Sequence, residues 1–291
     1  MTLAAPPRFA ATRRVAAQFF RMPTAIAGLA ILVVFTGAAL TAPLYIHPAD
    51  LDVTQATGGQ LAPPSRHYPL GTDQAGRSVL VLLIWGARAS LAIGVAATVL
   101  AVVLGSAVGL LAGHYQRWLG RGLMHVTDWF IALPSLPLAI SLAAVLGQGA
   151  TSITIAIAVT SWTATARLVR AQTLAVEARP FIERARALGA GNAQIMVRHV
   201  LPNVAPLILV SSTLTVAGAI LAEATLTFLG LGNPTEVSWG TMINQAYTGS
   251  AVSRGAWWYL LPPGIAIVVV VLGFTMTGRA VEQILNPRMS R

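Results

Sequence analysis

Long stretches without charge constrain this chain more than any other feature of its sequence. Charged residues make up 10% of the 291 residues and mean hydropathy is +0.70, values that lie outside the range of soluble domains. Uncharged, mostly apolar runs cover 22–46, 89–113, 129–166, 204–222 and 255–278. Because a helix needs about 20 apolar residues to cross a bilayer, each run is long enough for a membrane span.

The run over 129–166 is long enough for two spans. Gly147, Gln148 and Gly149 are the natural place for the turn between them, because glycine tolerates tight backbone geometry and glutamine can face water. Pro134 and Pro137 predict a kink earlier in the same run. The sequence therefore predicts an all-α membrane protein with six transmembrane helices. We expect them to form a single transmembrane domain over residues 22–291.

The distribution of arginine predicts the orientation of these spans. The chain has no lysine, and cytoplasmic loops retain positive charge during insertion. If both termini are cytoplasmic, only Arg66, Arg77, Arg88 and Arg254 of the 19 arginines lie outside. We therefore expect cytoplasmic termini and a cytoplasmic N-terminal segment over residues 1–21. The formal net charge of +10 fits this topology and attraction to anionic lipid better than nucleic-acid binding.

The side chains that most enzymes need are absent or scattered. Without lysine the chain cannot form a phosphate-binding loop of the Walker type. Without cysteine it has no thiolate metal ligands, and its five histidines do not show metal-ligand spacing. The nine carboxylates are too dispersed to suggest a paired acid and base. The sequence thus predicts neither an enzyme nor a chain that holds a cofactor or a metal.

A polar segment over residues 167–203 interrupts the apolar runs, and it carries six arginines. Pro180 suits the first turn of a helix, and Glu183 follows where the positive end of the helix dipole favours an acid. Gly189 can end that helix in a left-handed conformation. A short helix of about nine residues is therefore predicted, roughly 13 Å long.

One face of this predicted helix carries Phe181, Ala185 and Leu188, at the spacing of successive helical turns. Such a face suits the groove of a partner protein. A helix that lies on the membrane surface fits the same periodicity equally well.

The same segment resembles the EAA loop of the membrane subunits of binding-protein-dependent ABC importers. Glu183, Ala185 and Gly189 are followed, after nine intervening residues, by the His-x-Leu-Pro sequence of 199–202. Arg184 departs from the usual second residue of that motif, and so does His199 before Leu-Pro. At both positions the chain instead resembles the peptide-transporter branch of these importers. The Arg-Ala-Leu-Gly sequence of 186–189 and the Arg-His-x-Leu-Pro-Asn sequence of 198–203 resemble the same branch.

Further blocks resemble the C-type permeases of oligopeptide and dipeptide transport. They occur in the same order over most of the chain, at 69–77, 86–91, 128–140, 223–232, 238–240 and 286–288. The resemblance implies the fold of a type I ABC importer permease with a cytoplasmic coupling helix in the coupling loop, 167–203. The residues implied in coupling to an ATPase are Phe181, Glu183, Arg184, Ala185, Arg186, Ala187, Leu188, Gly189, Arg198 and Pro202.

The resemblance also implies partners and a cargo. The partners are a second homologous permease in a heterodimer, two ATPase subunits or one fused ATPase, and an extracytoplasmic substrate-binding protein. ATP and Mg would bind the ATPase, and the chain itself would need only the bilayer around it. Oligopeptides or dipeptides are the implied cargo; nickel chelate, glutathione or another small solute is the alternative. An ion-coupled secondary transporter is the alternative from a different class.

Five charged residues outside the coupling helix are candidates for a further role. Glu223, Asp128 and Arg167 lie in or near predicted spans, where an unpaired charge costs several kcal/mol. Glu223 could face the pathway or make a structural contact inside the bundle, and the other two are expected to anchor the cytoplasmic ends of their spans. Asp73 and Arg77 lie in an outer segment, where they could hold a turn or contact a gate or a binding protein.

Overall fold

A computed structural model describes residues 18–285, and within this range the chain is helical. The range contains no β-strand, only an isolated antiparallel bridge between Thr72 and Ser78. Five helices are long and apolar enough to cross a membrane, and a bent pair of shorter helices makes a sixth span if the pair is counted as one. The prediction of an all-α membrane protein is confirmed. Most of the predicted N-terminal segment and the terminal Asn-Pro-Arg lie outside the described residues.

The helices follow one another with short connections, apart from two longer loops before α3 and α10. In chain order they are α1 (Pro23–Tyr45), α2 (Pro48–Leu51), α3 (Val79–His114), α4 (Trp118–Ala132), α5 (Ser135–Leu146), α6 (Ala150–Glu177), α7 (Pro180–Ala187), α8 (Asn192–Ile195), α9 (Leu201–Phe228), α10 (Trp239–Thr248) and α11 (Trp257–Leu285). A π-helical turn, Met196–Val200, joins α8 to α9.

The helix of the second span begins earlier than the predicted run over 89–113, since α3 already starts at Val79. Its 36 residues correspond to roughly 54 Å of helix, well beyond the roughly 30 Å of a hydrocarbon core. The predicted run was cut at Arg88, but that side chain is exposed and lies 4.4 Å from the ring centre of Trp85. A single exposed cation therefore does not interrupt the helix.

The third span is broken. α4 and α5 meet at 92° across Leu133 and Pro134, and the backbone of Leu133 is extended. A residue before proline is pushed out of the helical region by the proline ring, which explains the break at this point. Gly147 and Gly149 follow α5 with φ of 87° and 146°, so the predicted kink and the predicted turn are both confirmed.

A row of glycines allows α3 to pack closely on α6. Gly105, Gly109 and Gly113 recur every four residues along one face of α3 and are buried. A Cβ atom added to Gly109 would lie 2.6 Å from the carbonyl oxygen of Ala166 on α6. Small residues at this spacing let two membrane helices approach through their backbones, which dispersion forces then favour.

Two sets of contacts define the ends of the bundle. His114 at the end of α3 contacts Glu177 at the end of α6, next to α7; we call this the α7 end. At the opposite end, the side chain of Gln148 donates a hydrogen bond of 3.1 Å to the carbonyl of Gly230, which precedes α10; we call this the α10 end.

Candidate functional site

The predicted short helix in the polar segment is present as α7, Pro180–Ala187. Pro180 stands in its first turn, and Gly189 follows its last turn with φ of +85°. The N–H of Ala190 reaches back to the carbonyl of Ala185 at 3.0 Å, and the N–H of Gly189 reaches that of Arg186 at 2.9 Å. These bonds satisfy carbonyls that a helix end leaves open, so the predicted local structure is confirmed.

Ile182 fixes α7 to the bundle. Its side chain is fully buried in an apolar cluster with Val169 and Val176 of α6 and Val200 and Val204 beyond α8. Burial of an isoleucine stabilises a structure by about 1.5–3 kcal/mol, so one side chain can hold this helix. Sequence reasoning missed Ile182, although it is the one aliphatic residue of the Pro180–Ala187 stretch.

The opposite side of α7 faces away from the bundle. Leu188, just past the helix, is 89% exposed, whereas Phe181 and Ala185 are half-buried. A concavity of about 520 Å³ adjoins this face, and it is lined by Phe181, Arg184, Ala185, Leu188, Gly189, Ala190, Gln194 and His199. An exposed apolar side chain beside basic groups and a concavity is an arrangement that a partner protein can bind.

The predicted coupling residues thus separate into those on this surface and those around it. Glu183 and Ala187 are exposed on α7, and Arg198 is exposed on the π-helical turn. Pro202 is exposed at the start of α9. It has no N–H to continue the helical ladder, and the N–H of Leu201 bonds to the carbonyl of Met196, five residues back.

Arg186 belongs to a buried contact that sequence reasoning missed. It donates to one carboxylate oxygen of Glu177 at 2.5 Å, while His114 Nδ1 lies 2.5 Å from the other oxygen. The Glu177 side chain is only 4% exposed. The carboxylate therefore connects the ends of α3 and α6 to the last turn of α7. Charge-assisted hydrogen bonds of this kind are about twice as strong as neutral ones.

Asp128 and Arg167 form an ion pair between α4 and α6, with 2.7 Å between Arg167 Nη2 and Asp128 Oδ1. Both side chains are half-exposed. Neither residue lies at a helix end, because α4 begins ten residues before Asp128, at Trp118, and α6 continues for ten residues beyond Arg167, to Glu177; that they mark the ends of the membrane-crossing parts stays a prediction. The predicted run had been cut at the first charge, but this charge is paired and the helix continues.

Glu223 lies inside the bundle toward the α10 end and is fully buried. Thr227 Oγ1 lies 3.4 Å from one of its carboxylate oxygens, and the other oxygen has no hydrogen-bond partner among residues 18–285. The space beside it, about 10 Å³, is also lined by Ser238 and Thr241. That volume suits about one water molecule.

Asp73 and Arg77 organise the loop before α3. Arg77 Nη2 lies 2.7 Å from Asp73 Oδ2, and Asp73 Oδ1 accepts the N–H groups of Ala75 and Arg77. Arg77 also donates to the carbonyl of Leu51, at 3.0 Å. The pair therefore ties the loop together and fixes it to α2, an arrangement in which the buried aspartate holds a turn.

Comparison with known families shows the class of protein to which the chain belongs. The family described as binding-protein-dependent transport system inner membrane component matches residues 105–291, which include α7 and the concavity beside it. The chain belongs to that family. Residues 11–64 of this permease match a second family, described as the N-terminal TM domain of oligopeptide transport permease C.

Individual relatives of the permease cover almost its whole length. It is 36% identical over 273 residues to the dipeptide transport system permease protein DppC of Alkalihalophilus pseudofirmus, with 94% of this chain and 88% of the relative covered. It is 37% identical over 263 residues to a Brucella suis protein named as a candidate peptide transport system permease, with 90% and 87% covered. The predicted resemblance is confirmed.

Membership in this family shows which subunit of a transporter the chain is. It is a multi-pass membrane permease subunit of an ABC transporter and not itself an enzyme. Permeases of this family work with an ATPase and a binding protein. Among the described residues, the charged groups of Arg186 and Glu177 make contacts between helices.

Proposed function

We propose that this permease is the C-type subunit of an ABC importer that moves oligopeptides or dipeptides across the cell membrane. The match of residues 11–64 to the oligopeptide permease family supports this cargo. Relatives named for peptide and dipeptide transport support it further. Nickel chelates, glutathione and other small solutes remain cargoes to be tested against peptides in the same assay.

The coupling surface is the outward face of α7 with the adjoining concavity. Leu188 is the apolar centre of this surface, and Arg184 and His199 surround it. In this proposal the surface docks into a partner ATPase, which holds ATP and Mg. Movement of the ATPase then reaches α3 and α6 through Arg186 and Glu177, because the last turn of α7 is attached there. This is rigid-body switching with hydrolysis on another chain.

The rest of the assembly follows from the same proposal. A second homologous permease completes a heterodimer, two ATPase subunits or one fused ATPase bind at the α7 end, and an extracytoplasmic binding protein delivers cargo at the α10 end. The α7 end is then cytoplasmic, and so are both termini. The excess of arginine in residues 167–203 supports this orientation.

Purification of the tagged chain from its native membrane in mild detergent tests the proposal. We expect a second permease, an ATPase and a binding protein to be identified by mass, and hydrolysis by the complex to rise with the binding protein and a dipeptide. Glutathione and a nickel chelate are the comparison cargoes. A chain that purifies without any ATPase, or an ATPase stimulated only by a comparison cargo, would contradict the proposal.

A substitution in the coupling surface tests its location. Leu188→Glu places a charge at the centre of the proposed contact, where desolvation without a partner is unfavourable, and we expect the ATPase to be lost from the purified complex. Val252→Glu is the matched control, because Val252 is a similarly exposed apolar residue at the α10 end. Equal retention of the ATPase in both variants would place the contact elsewhere.

A further inference from the structure

A groove lies halfway along the membrane helices, between α5, α6 and α9. Its volume is about 370 Å³, within the roughly 300–1,000 Å³ of small-molecule sites. Small residues leave this space open, among them Ala139 on α5, Ala164 on α6 and Gly218 on α9. Hydroxyl side chains supply its polar lining, and they are Ser135, Thr160, Ser161, Thr163 and Thr215.

Three of these hydroxyls are not used by the protein within the described range. Hydroxyls on membrane helices commonly donate to a carbonyl three or four residues back, as Thr160 does to Ala156 and Thr215 does to Ser211, both at 2.9 Å. Ser135, Ser161 and Thr163 make no hydrogen bond to another residue of 18–285, and Thr163 is only 8% exposed. The Thr163 hydroxyl oxygen is not one of the fully buried polar atoms without a partner in residues 18–285, so it is accessible from the groove and available to a ligand.

The charge around the groove restricts the kind of ligand. Among residues 18–285, no charged side chain lines it. The nearest charge on α6 is Arg167, one helical turn beyond Thr163 toward the α7 end, and it is neutralised by Asp128. Hydroxyl groups both donate and accept hydrogen bonds. The groove therefore suits uncharged amide groups better than a cluster of ionic groups.

We propose that this groove binds the backbone amides of peptide cargo during its passage. The inference rests on the proposed function and deepens it by naming the contact. Thr163 and Ser161 exchange hydrogen bonds with the peptide N–H and C=O, which are the same in every peptide. The small residues that line the groove make no specific contact with the side chains of the cargo, so recognition at this point is independent of peptide sequence.

The first test uses the complete complex with its binding protein in proteoliposomes. Thr163→Val removes the hydroxyl and keeps the shape, and we expect about 3- to 10-fold slower dipeptide uptake, the range for one lost hydrogen bond. Thr275→Val on α11 is the control, because that hydroxyl donates to Val271, at 2.8 Å, outside the groove. Uptake of a dipeptide methylated on its amide nitrogen should be slow in the unmodified protein. The Thr163→Val variant should take up this dipeptide no more slowly, because both changes remove the same hydrogen bond and their effects are then not additive.

The second test exploits the absence of cysteine from this chain. Ser161→Cys should react with a small maleimide, and a dipeptide with the binding protein should slow that reaction several-fold. Leu44→Cys, an exposed position at the end of α1, should react at the same rate with and without peptide.

Three outcomes would overturn the inference. The first is peptide uptake that is unchanged in Thr163→Val, and the second is Ser161→Cys labelling that peptide does not slow. The third is crosslinking of Ser161→Cys to the second permease, which would make the groove a subunit contact. A complex that moves no peptide at all would instead defeat the proposed function, so the two failures are distinguishable.

Discussion

At the residue scale, Glu177 joins three helices through one carboxylate, although sequence reasoning did not select it. Both of its carboxylate oxygens are occupied, by His114 on α3 and by Arg186 on α7. Breaking such a buried contact leaves the remaining groups without partners, which is costlier than the contact itself is favourable. Glu177 is therefore where a change should affect stability and coupling together.

We expect Glu177→Gln to weaken the attachment of α7. The variant keeps the shape but removes the charge that Arg186 and His114 contact, at a cost of about 1–3 kcal/mol. The melting temperature in detergent should fall, and ATP hydrolysis in the complex should depend less on cargo. Glu183→Gln, at an exposed position of α7, should keep the original melting temperature. Equal melting temperatures for all three proteins would contradict the structural role of Glu177.

Gly189 permits a prediction that separates backbone conformation from packing. Its φ is +85°, and a Cβ atom added there meets nothing within 4 Å. Gly189→Val should therefore cost about 1–2 kcal/mol through backbone conformation alone, with looser coupling of hydrolysis to uptake. Gly189→Asn should change little, because asparagine tolerates the left-handed region. Equal coupling in both variants would show that the end of α7 does not require this conformation.

At the element scale, the packing of α3 on α6 depends on backbone approach rather than on large apolar side chains. The row of Gly105, Gly109 and Gly113 faces, in that order, Trp162, Ala166 and Thr173 of α6. The row joins the two helices that end at His114 and Glu177, so it also determines where the attachment point of α7 lies. Close helix packing and the α7 end are thus parts of one rigid unit.

Substitution in this row should destabilise the bundle. Gly109→Ala places a methyl group 2.6 Å from a backbone oxygen, and such overpacking costs about 1–3 kcal/mol. The melting temperature and the yield of assembled complex should both fall. Gly37→Ala on α1 is the matched control, because nothing lies within 4 Å of its Cβ position. A fall of equal size in both variants would show that the effect is not one of helix packing.

At the scale of the whole molecule, the two ends of the bundle present different surfaces. The α7 end presents an exposed apolar residue and basic groups, and the α10 end presents α10 and the loop held by Asp73 and Arg77. If the α7 end is cytoplasmic, an ATPase meets the first surface and a binding protein meets the second. The orientation of the chain in the membrane therefore determines which partner can bind at each end.

Thiol labelling in membranes of known orientation measures this sidedness. Leu188→Cys and Val252→Cys are exposed positions at opposite ends, and the chain has no other cysteine. A membrane-impermeant maleimide should label Leu188→Cys in inside-out vesicles and Val252→Cys in right-side-out vesicles, with Leu188→Cys protected by the ATPase. Labelling of Leu188→Cys from the outside would contradict the proposed orientation.

The sequence by itself determined the membrane class, the six hydrophobic segments and the helix at Pro180, because these depend on local hydropathy and on proline and glycine. It did not predict how far the helices continue past Arg88 and Arg167, since whether a charge interrupts a helix depends on its partners. Only the tertiary structure paired Asp128 with Arg167 and His114 with Glu177, which are separated by 39 and 63 residues along the chain. Sequence patterns report local preference, whereas these contacts and the groove arise from the packing of distant helices.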